Sequence, residues 1–485
     1  MANSSLKDKT IKGTAWSAAD AFLGQGVSFI VSLVLARLLS PDEYGLIGIC
    51  AIFNSVLCGL VDSGFSTALI RKKEVSNAEY NTMFVTNMVI SIVLYVLLFF
   101  ASPYIAVFFD RNELTSLIRV TSLVLIFNAL SITQVTVLTK RIDFKTKTKA
   151  SLISAIVSGV IGIAMAFSGF GVWALVGQMV ARSLLYTILL WIFNKWLPSL
   201  EFSRNSFSYM WGFGWKLLVS GLLDDIWKQL YQVVVGKFYS PATLGHYTRA
   251  NDYANIFSSN LTSVIRRVSY PVLAEIQDDR GRMIQAYRKI IKITMFLTLV
   301  CMFSLGAISE TLIYCLIGSQ WNTAATFLPL ICISMSLYPL HAINLNMLQV
   351  LGRSDIFLYL EIIKKVIAIA PICIGIFVGI YWMLVASIVV GVISFFLNSH
   401  YTGKKLGYSS WMQLKDIAPS FGVAVVVAVS VFFFKFLPVS NWLILPLQLM
   451  VGVIVFVAVC KVTKNAEYSE VKGILLSLLK SAKKS

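Results

Sequence analysis

Residues 88–100 read MVISIVLYVLLFF, and residues 421–434 read FGVAVVVAVSVFFF. Neither run holds a charge, and neither alternates polar with apolar side chains. Lipid offers the backbone no hydrogen-bond partner, so a membrane-spanning segment must be a helix or part of a closed barrel. A barrel strand alternates outward apolar with inward polar residues. These runs do not, so they predict spanning helices. Similar stretches recur along all 485 residues, which are 57% hydrophobic and 13% charged, with mean hydropathy +0.78. A soluble protein carries about a quarter charged residues. The chain reads as an all-α polytopic membrane protein.

Fourteen spans are expected, over about 11–39, 44–68, 80–108, 114–139, 148–168, 171–194, 209–237, 245–272, 287–316, 322–350, 356–379, 382–402, 415–437 and 441–463. No large loop separates them, which leaves no room for a soluble catalytic domain. The net charge of +18 comes from basic residues at the loops and tails. Lys7, Lys9 and Lys12 precede the first span, and Arg71, Lys72 and Lys73 follow the second. Lys140, Arg141, Lys145, Lys147 and Lys149 follow the fourth, Arg280, Arg282, Arg288 and Lys289 the eighth, and Lys404 and Lys405 the twelfth. The alternate loops are nearly bare. This alternation places both termini on the cytoplasmic side, and it accounts for the charge without nucleic acid. In the tail, Val471, Ile474, Leu475, Leu478 and Leu479 recur at helical spacing beside lysines. That pattern fits a helix on the inner membrane surface and equally a frayed, solvated tail. The seven cysteines lie in or beside apolar runs without a CxxC pair, as small buried hydrophobes do. The first apolar segment is long and holds Asp20 and Gln25, so it is expected to stay in the protein rather than be cleaved.

The chain repeats itself. Ser40-Pro41-Asp42-Glu43-Tyr44-Gly45 closes the first span, and Ser240-Pro241-Ala242-Thr243-Leu244-Gly245 closes the seventh, 200 residues later. Arg37 and Lys237 precede the two motifs in the same register. Arg141-Ile142-Asp143 and Arg353-Ser354-Asp355 follow the fourth and tenth spans, 212 residues apart. Six spans per half is an even number, so both halves insert with the same orientation. Two six-helix lobes related by an axis along the membrane normal are therefore expected, with a site between them. The lobes are residues 1–200 and 201–403, and residues 404–485 add two helices and a basic tail.

Beside the repeat stand further motifs: Gly13-Thr14-Ala15-Trp16, Ala36-Arg37-Leu38-Leu39 before the motif at Ser40, Asn260-Leu261-Thr262-Ser263-Val264-Ile265 and Pro271-Val272-Leu273. Further along come Gly318-Ser319-Gln320-Trp321, residues 339–346, Gly352-Arg353-Ser354-Asp355 and Glu361-Ile362-Ile363-Lys364-Lys365. In these residues the chain resembles the Wzx-type flippases of lipid-linked oligosaccharides, in the colanic-acid and teichuronic-acid branch. These share a superfamily, MOP, with the MATE drug exporters and the lipid II flippase. The resemblance implies a reaction without covalent change. An undecaprenyl-pyrophosphate-linked oligosaccharide, such as a surface-polysaccharide or O-antigen repeat unit, passes from the cytoplasmic to the outer leaflet by alternating access. It further implies a bacterial inner-membrane location, a monomer, contact with membrane lipids and glycan polymerase machinery, and coupling to H+ or Na+ with no organic cofactor.

A pyrophosphate needs cations along its path, because burying an isolated ion costs tens of kcal/mol in the idealised limit, about. Ionisable residues within spans are functional suspects. Lys216, Asp224 and Lys228 fall at i, i+8 and i+12 of the seventh span, on roughly one helix face. Asp225 lies three residues before Lys228. Lys216 and Lys228 are candidates to bind the pyrophosphate, and Asp224 and Asp225 to tune them or exchange the coupling ion. An internal ion pair that merely satisfies buried charge fits the same pattern. Arg182, Arg249 and Arg37 are further candidates for the path, though Arg37 and Lys237 also suit snorkelling at the outer interface. Arg119 lies near an outer end, while Arg266, Arg267, Lys364 and Lys365 suit cytoplasmic topology signals. Asp20 and Asp62 are candidates for ion coupling or for structural hydrogen bonding. Trp211, Trp215 and Trp227 fit sugar stacking or an interfacial belt. His246 and His341 lack a second ligand one turn away, so no metal site is expected.

The sequence holds no GxxxxGK[ST], no HExxH and no GxSxG with partners. An enzyme and drive by ATP within this chain are therefore not expected. Three alternatives remain: a MOP transporter of another cargo such as lipid II or a drug, a membrane glycan polymerase or ligase, and a scaffold for glycan synthesis. A drug exporter for cations would favour acidic intramembrane residues, a polymerase needs a long outer loop, and a scaffold has no use for costly charges in its spans.

Overall fold

The structure, a computed structural model, describes residues 23–482. Asp20 and the Gly13–Trp16 motif lie outside the described residues, and Arg266 and Arg267 are described as backbone only. Among the described residues all regular structure is helical. The helices are α1 (Gln25–Leu38), α2 (Pro41–Asp62), α3 (Phe65–Arg71), α4 (Asn77–Phe108), α5 (Leu114–Thr121), α6 (Leu123–Lys140), α7 (Phe144–Phe167), α8 (Val172–Asn194), α9 (Arg204–Phe238) and α10 (Pro241–Glu275). They continue as α11 (Arg280–Ala307), α12 (Ser309–Ile317), α13 (Asn322–Ser336), α14 (Tyr338–Val350), α15 (Ser354–Ile367), α16 (Ile369–Phe377), α17 (Ile380–Leu406), α18 (Ser410–Phe432), α19 (Asn441–Val462) and α20 (Ala466–Ala482). Among the described residues helix lies within each expected span, the first from Gln25 on, and ten segments are long and apolar enough by themselves to cross a membrane. The segments at α9, α10 and α15–α16 are not among those ten. α9 and α10 hold much of the polar sequence, and the span at α15–α16 is divided at Ala368.

The chain divides into two compact units, one ending at Gly245 and one beginning at His246. In the first, Phe65, Ala68, Leu69, Tyr80, Met83, Phe84, Val137, Trp196 and Met210 form a core. Small residues draw helices together, as membrane helices need when lipid is as apolar as leucine. A Cβ on Gly159 of α7 would lie 2.4 Å from Val31 of α1, and one on Gly177 of α8 2.5 Å from the Met165 sulfur. Outward side chains such as Phe100, Val107 and Ile192 are exposed and apolar, as a lipid-facing surface requires.

The repeated motif proves to be a contact as well as a pattern. Ser40 caps α2 in a reciprocal box with Glu43: the Glu43 amide donates to Ser40 Oγ at 3.4 Å, and the Ser40 amide donates to Glu43 Oε2 at 2.6 Å. Ser240 accepts from the Thr243 amide at 3.2 Å in the same way. The two helix starts then touch. A Cβ on Gly45 would lie 1.8 Å from the Pro241 carbonyl oxygen, and one on Gly245 2.0 Å from the Pro41 carbonyl oxygen. Each copy's glycine therefore rests on the other copy's proline, and neither position has room for a side chain.

In the second unit, α11 carries the core: Met283, Tyr287, Ile291, Met295 and Leu299 pack with Leu340, Ile343, Met347, Phe395 and Ala424. One buried amide ties four helices. Asn344 Oδ1 accepts from Tyr287 Oη at 2.8 Å and from Thr402 Oγ1 at 3.0 Å, and Asn344 Nδ2 donates to Gln413 Oε1 at 3.1 Å. The two helices beyond the repeat, α18 and α19, pack on α11 through Val423, Val427 and Cys460 around Phe296. The tail is helical, and its first turns dock on α11: Lys289 pairs with Glu470 at 2.9 Å and Lys292 with Glu467 at 3.9 Å.

Candidate transport site

α9 is the longest exposed polar element of the first unit. Ser203 caps it, accepting from the Ser206 amide at 3.3 Å. The strap before it is tied to the helices behind it: Asn81 Nδ2 donates to Ser199 Oγ at 2.6 Å, Gln134 Nε2 to the Trp196 carbonyl at 3.0 Å, and the Ser203 amide to Thr82 Oγ1 at 3.0 Å. α9 then runs antiparallel along α2. Gly214 packs on the Ser63 carbonyl, Asp225 reaches Gly59, Gln229 Nε2 donates to Ser55 Oγ at 3.0 Å, and Gly236 meets Ile49. Between Gly214 and Asp225, Val219, Ser220, Gly221, Leu223 and Asp224 are exposed.

The candidate cations sit on this stretch. Lys216 is exposed beside the Trp215 ring, 6.0 Å from its centroid. Lys228 is exposed and lies 3.4 Å from Asp225 Oδ1. Asp224 is exposed one turn before Lys228. Lys216, Asp224 and Lys228 thus all stand exposed on α9. An ion pair this exposed contributes little to stability, about 0–1 kcal/mol, so holding the fold together does not explain its presence. Trp211 is exposed but holds ring contacts: it stacks on Phe207 at 6.1 Å and meets Phe65 edge-on at 6.4 Å. Trp215 is exposed and Trp227 half-buried.

The remaining candidates are dispersed. Arg182 is half-buried in the middle of α8. Arg37 is exposed in the last turn of α1. Arg119 is taken up locally, donating to Ser102 Oγ at 3.1 Å over the Phe99 ring at 4.1 Å. In the second unit, Arg249 lies 3.7 Å from Asp252, and Lys364 pairs with Glu361. Asp62 ends α2, where Ser63 (φ 49) and Gly64 (φ 72) both turn left-handed before α3. Its Oδ1 accepts from the amide of Ser66 at 3.3 Å and from the Ser66 hydroxyl, which in turn lies 3.1 Å from Thr136 Oγ1. Ser66 was open to sequence reading as the residue one turn on. Thr136 was not, because it comes from a helix 70 residues further along the chain than Ser66.

Ten segments long and apolar enough to cross a membrane make this a multi-pass helical membrane protein, and its fold has solved counterparts. Over 93% of the chain it is similar to the lipid II flippase MurJ in its inward closed conformation, with TM-score 0.71, 15% identity and 98% of that chain covered. It is also similar to an inward-facing multidrug resistance MATE transporter of the MOP superfamily, with TM-score 0.61, 14% identity, and 80% and 99% of the two chains covered. The chain belongs to the polysaccharide biosynthesis protein family, whose pattern matches residues 34–326. Among its relatives is the succinoglycan biosynthesis transport protein ExoT of Rhizobium meliloti (strain 1021), 24% identical over 76% of this chain and 74% of that one. Another is the lipopolysaccharide biosynthesis protein WzxC of Escherichia coli (strain K12), 26% identical over 76% of each. ExoT is a transport protein, and MurJ and the MATE protein are a flippase and a transporter.

Proposed function

We propose that this protein carries an undecaprenyl-pyrophosphate-linked oligosaccharide from the cytoplasmic to the outer leaflet of a bacterial inner membrane. Lys216 and Lys228 bind the pyrophosphate, Asp224 and Asp225 moderate their charge, and Arg182, Arg249 and Arg37 serve the path to either side. The polyprenyl chain stays in lipid. The two six-helix lobes, 1–200 and 201–403, alternate in access, with both termini cytoplasmic and a gradient of H+ or Na+ as the drive. One chain suffices, and the glycan polymerase machinery is the partner that receives the product.

The observation that supports this reading most is the charged face of α9. In a chain of the polysaccharide biosynthesis family, two lysines stand exposed on α9, and if that helix lies in the membrane a cation there is costly without a polar path. The test is movement of a fluorescent undecaprenyl-pyrophosphate oligosaccharide between leaflets of proteoliposomes. Lys216→Ala with Lys228→Ala, checked for folding, is expected to abolish protein-dependent movement. Movement that survives the double substitution removes these lysines from the site. Failure of the unaltered protein to move any lipid-linked glycan, with either ion gradient, transfers the case to another cargo.

A further inference from the structure

We propose that Asp62, Ser66 and Thr136 form a proton-binding site at the interruption of the second span. What the proton drives rests on the flippase reading above; the site itself does not.

A helix broken within a span exposes backbone groups that lipid cannot satisfy, so it persists only where protein or a polar path receives them. Here α2 stops at Asp62 and α3 starts at Phe65. The carboxyl therefore stands where α2 ends and accepts an amide from the first turn of α3. Among the described residues no cation pairs with it. The charged groups on the surrounding helices are committed elsewhere or stand apart. On α9, Asp225 reaches Gly59 and pairs with Lys228, while Lys216 is exposed. On α6, Lys140 Nζ donates to the Leu69 carbonyl at 3.1 Å and to that of Lys72. Arg71 lies over the Phe213 ring, and Glu79 of α4 pairs with Lys72. A lone carboxyl in a span without a counter-ion is a costly residue to keep for packing alone.

The hydroxyls beside Asp62 can serve both of its protonation states. Each hydroxyl has one hydrogen to donate. Thr136 Oγ1 lies 3.1 Å from Ser66 Oγ and 2.9 Å from the Ile132 carbonyl, so its hydrogen has two acceptors to choose from. With Asp62 ionised, Thr136 donates to Ser66, and Ser66 donates to the carboxylate. When a proton arrives from water on the carboxylate, both hydroxyls rotate. Asp62 then donates to Ser66, Ser66 to Thr136, and Thr136 to the Ile132 carbonyl. Only one O–H bond forms, on Asp62, and the hydrogen-bond chain keeps every link in either state.

α9 covers the break. A Cβ on Gly214 would lie 2.6 Å from the Ser63 carbonyl oxygen, and one on Gly64 2.9 Å from the Gly214 carbonyl oxygen. The helix that bears Lys216 and Lys228 thus packs against the turn that follows Asp62, so a shift of α9 would alter the surroundings of the carboxyl. Binding of the proton is linked to the position of the helix that binds the cargo.

Difference infrared spectroscopy on the purified protein in lipid nanodiscs, without cargo, tests the site. A protonated-carboxyl band that grows as pH falls and is lost in Asp62→Asn is expected. Ser66→Ala removes a donor to the carboxylate and should raise proton affinity about tenfold, the worth of one charge-assisted hydrogen bond. Thr136→Ser should leave the midpoint in place. A pH-dependent band unchanged by Asp62→Asn, no such band at all, or one that answers to sodium at fixed pH overturns the proposal. In proteoliposomes, Asp62→Asn should still move lipid-linked glycan down its own gradient while losing all acceleration by a proton gradient. If the unaltered protein moves no glycan, the flippase reading fails while the infrared result stands.

Discussion

Gly45→Ala tests the contact between the two copies of the repeated motif. The new Cβ would lie 1.8, 2.3 and 2.8 Å from the carbonyl oxygen, carbonyl carbon and Cα of Pro241. All three are backbone atoms at the start of a capped helix, so no side chain can swing aside. Ordinary carbon contacts need about 3.5 Å, and the helix starts must therefore part by more than an ångström. Overpacking of this kind costs about 1–3 kcal/mol. At about 2–4 °C per kcal/mol for a unit of this size, the melting midpoint should fall by several degrees. Gly245→Ala, which puts a Cβ 2.0 Å from the Pro41 carbonyl oxygen, should do the same. The double variant should lose less than the sum, because the displacement forced by one methyl already makes room for the other. Thermal unfolding of the three variants in one detergent decides it. Wild-type midpoints for both single variants, or strictly additive losses, would refute the reasoning.

The amide hub in the second unit predicts an asymmetry. Tyr287→Phe removes one of several bonds to Asn344 and should cost about 0.5–1.5 kcal/mol. Asn344→Leu strands the Tyr287, Thr402 and Gln413 polar atoms in a buried site and should cost several times more in the same unfolding assay. Outside the spans, Arg353 donates to Asp355 at 2.8 and 2.6 Å and holds its carboxyl down at about 2. Because this folded value lies below the ordinary one, any stabilisation is present above about pH 4 and fades as pH falls toward 2. Carboxyl carbon NMR should show the Asp355 midpoint near 2 and, in Arg353→Gln, near the ordinary 3.8; an unaltered midpoint in the variant would refute the pairing.

The fold was legible to the extent that lipid enforces it. Runs such as 88–100 must be helical because the backbone has no other partner in hydrocarbon, and the structure makes that run part of the 32-residue α4. Ser40-Pro41-Asp42-Glu43 announces a helix start by local chemistry, and the reciprocal cap is there. The charged face of α9 follows from spacing alone. Lys216, Lys228 and Asp62 could likewise be singled out in the sequence, since a charge in an apolar run stands out wherever the helix points.

Tertiary structure decided what those residues touch. Hydropathy has the same value whichever way a helix is rotated, so it does not say which neighbour receives a polar group. The repeat was visible as a pattern 200 residues apart, but nothing local to Gly45 reveals that Pro241 lies against it. Thr136 becomes part of the Asp62 site only because α6 packs beside α3. Arg119 reads in the sequence as a cation near an outer end of a span, and only the packing shows that Ser102 and Phe99 take it up. Helix existence is set by each segment's own transfer from water to lipid. Helix register and rotation are set by packing between segments, and the polar partners on which function depends come from that second step.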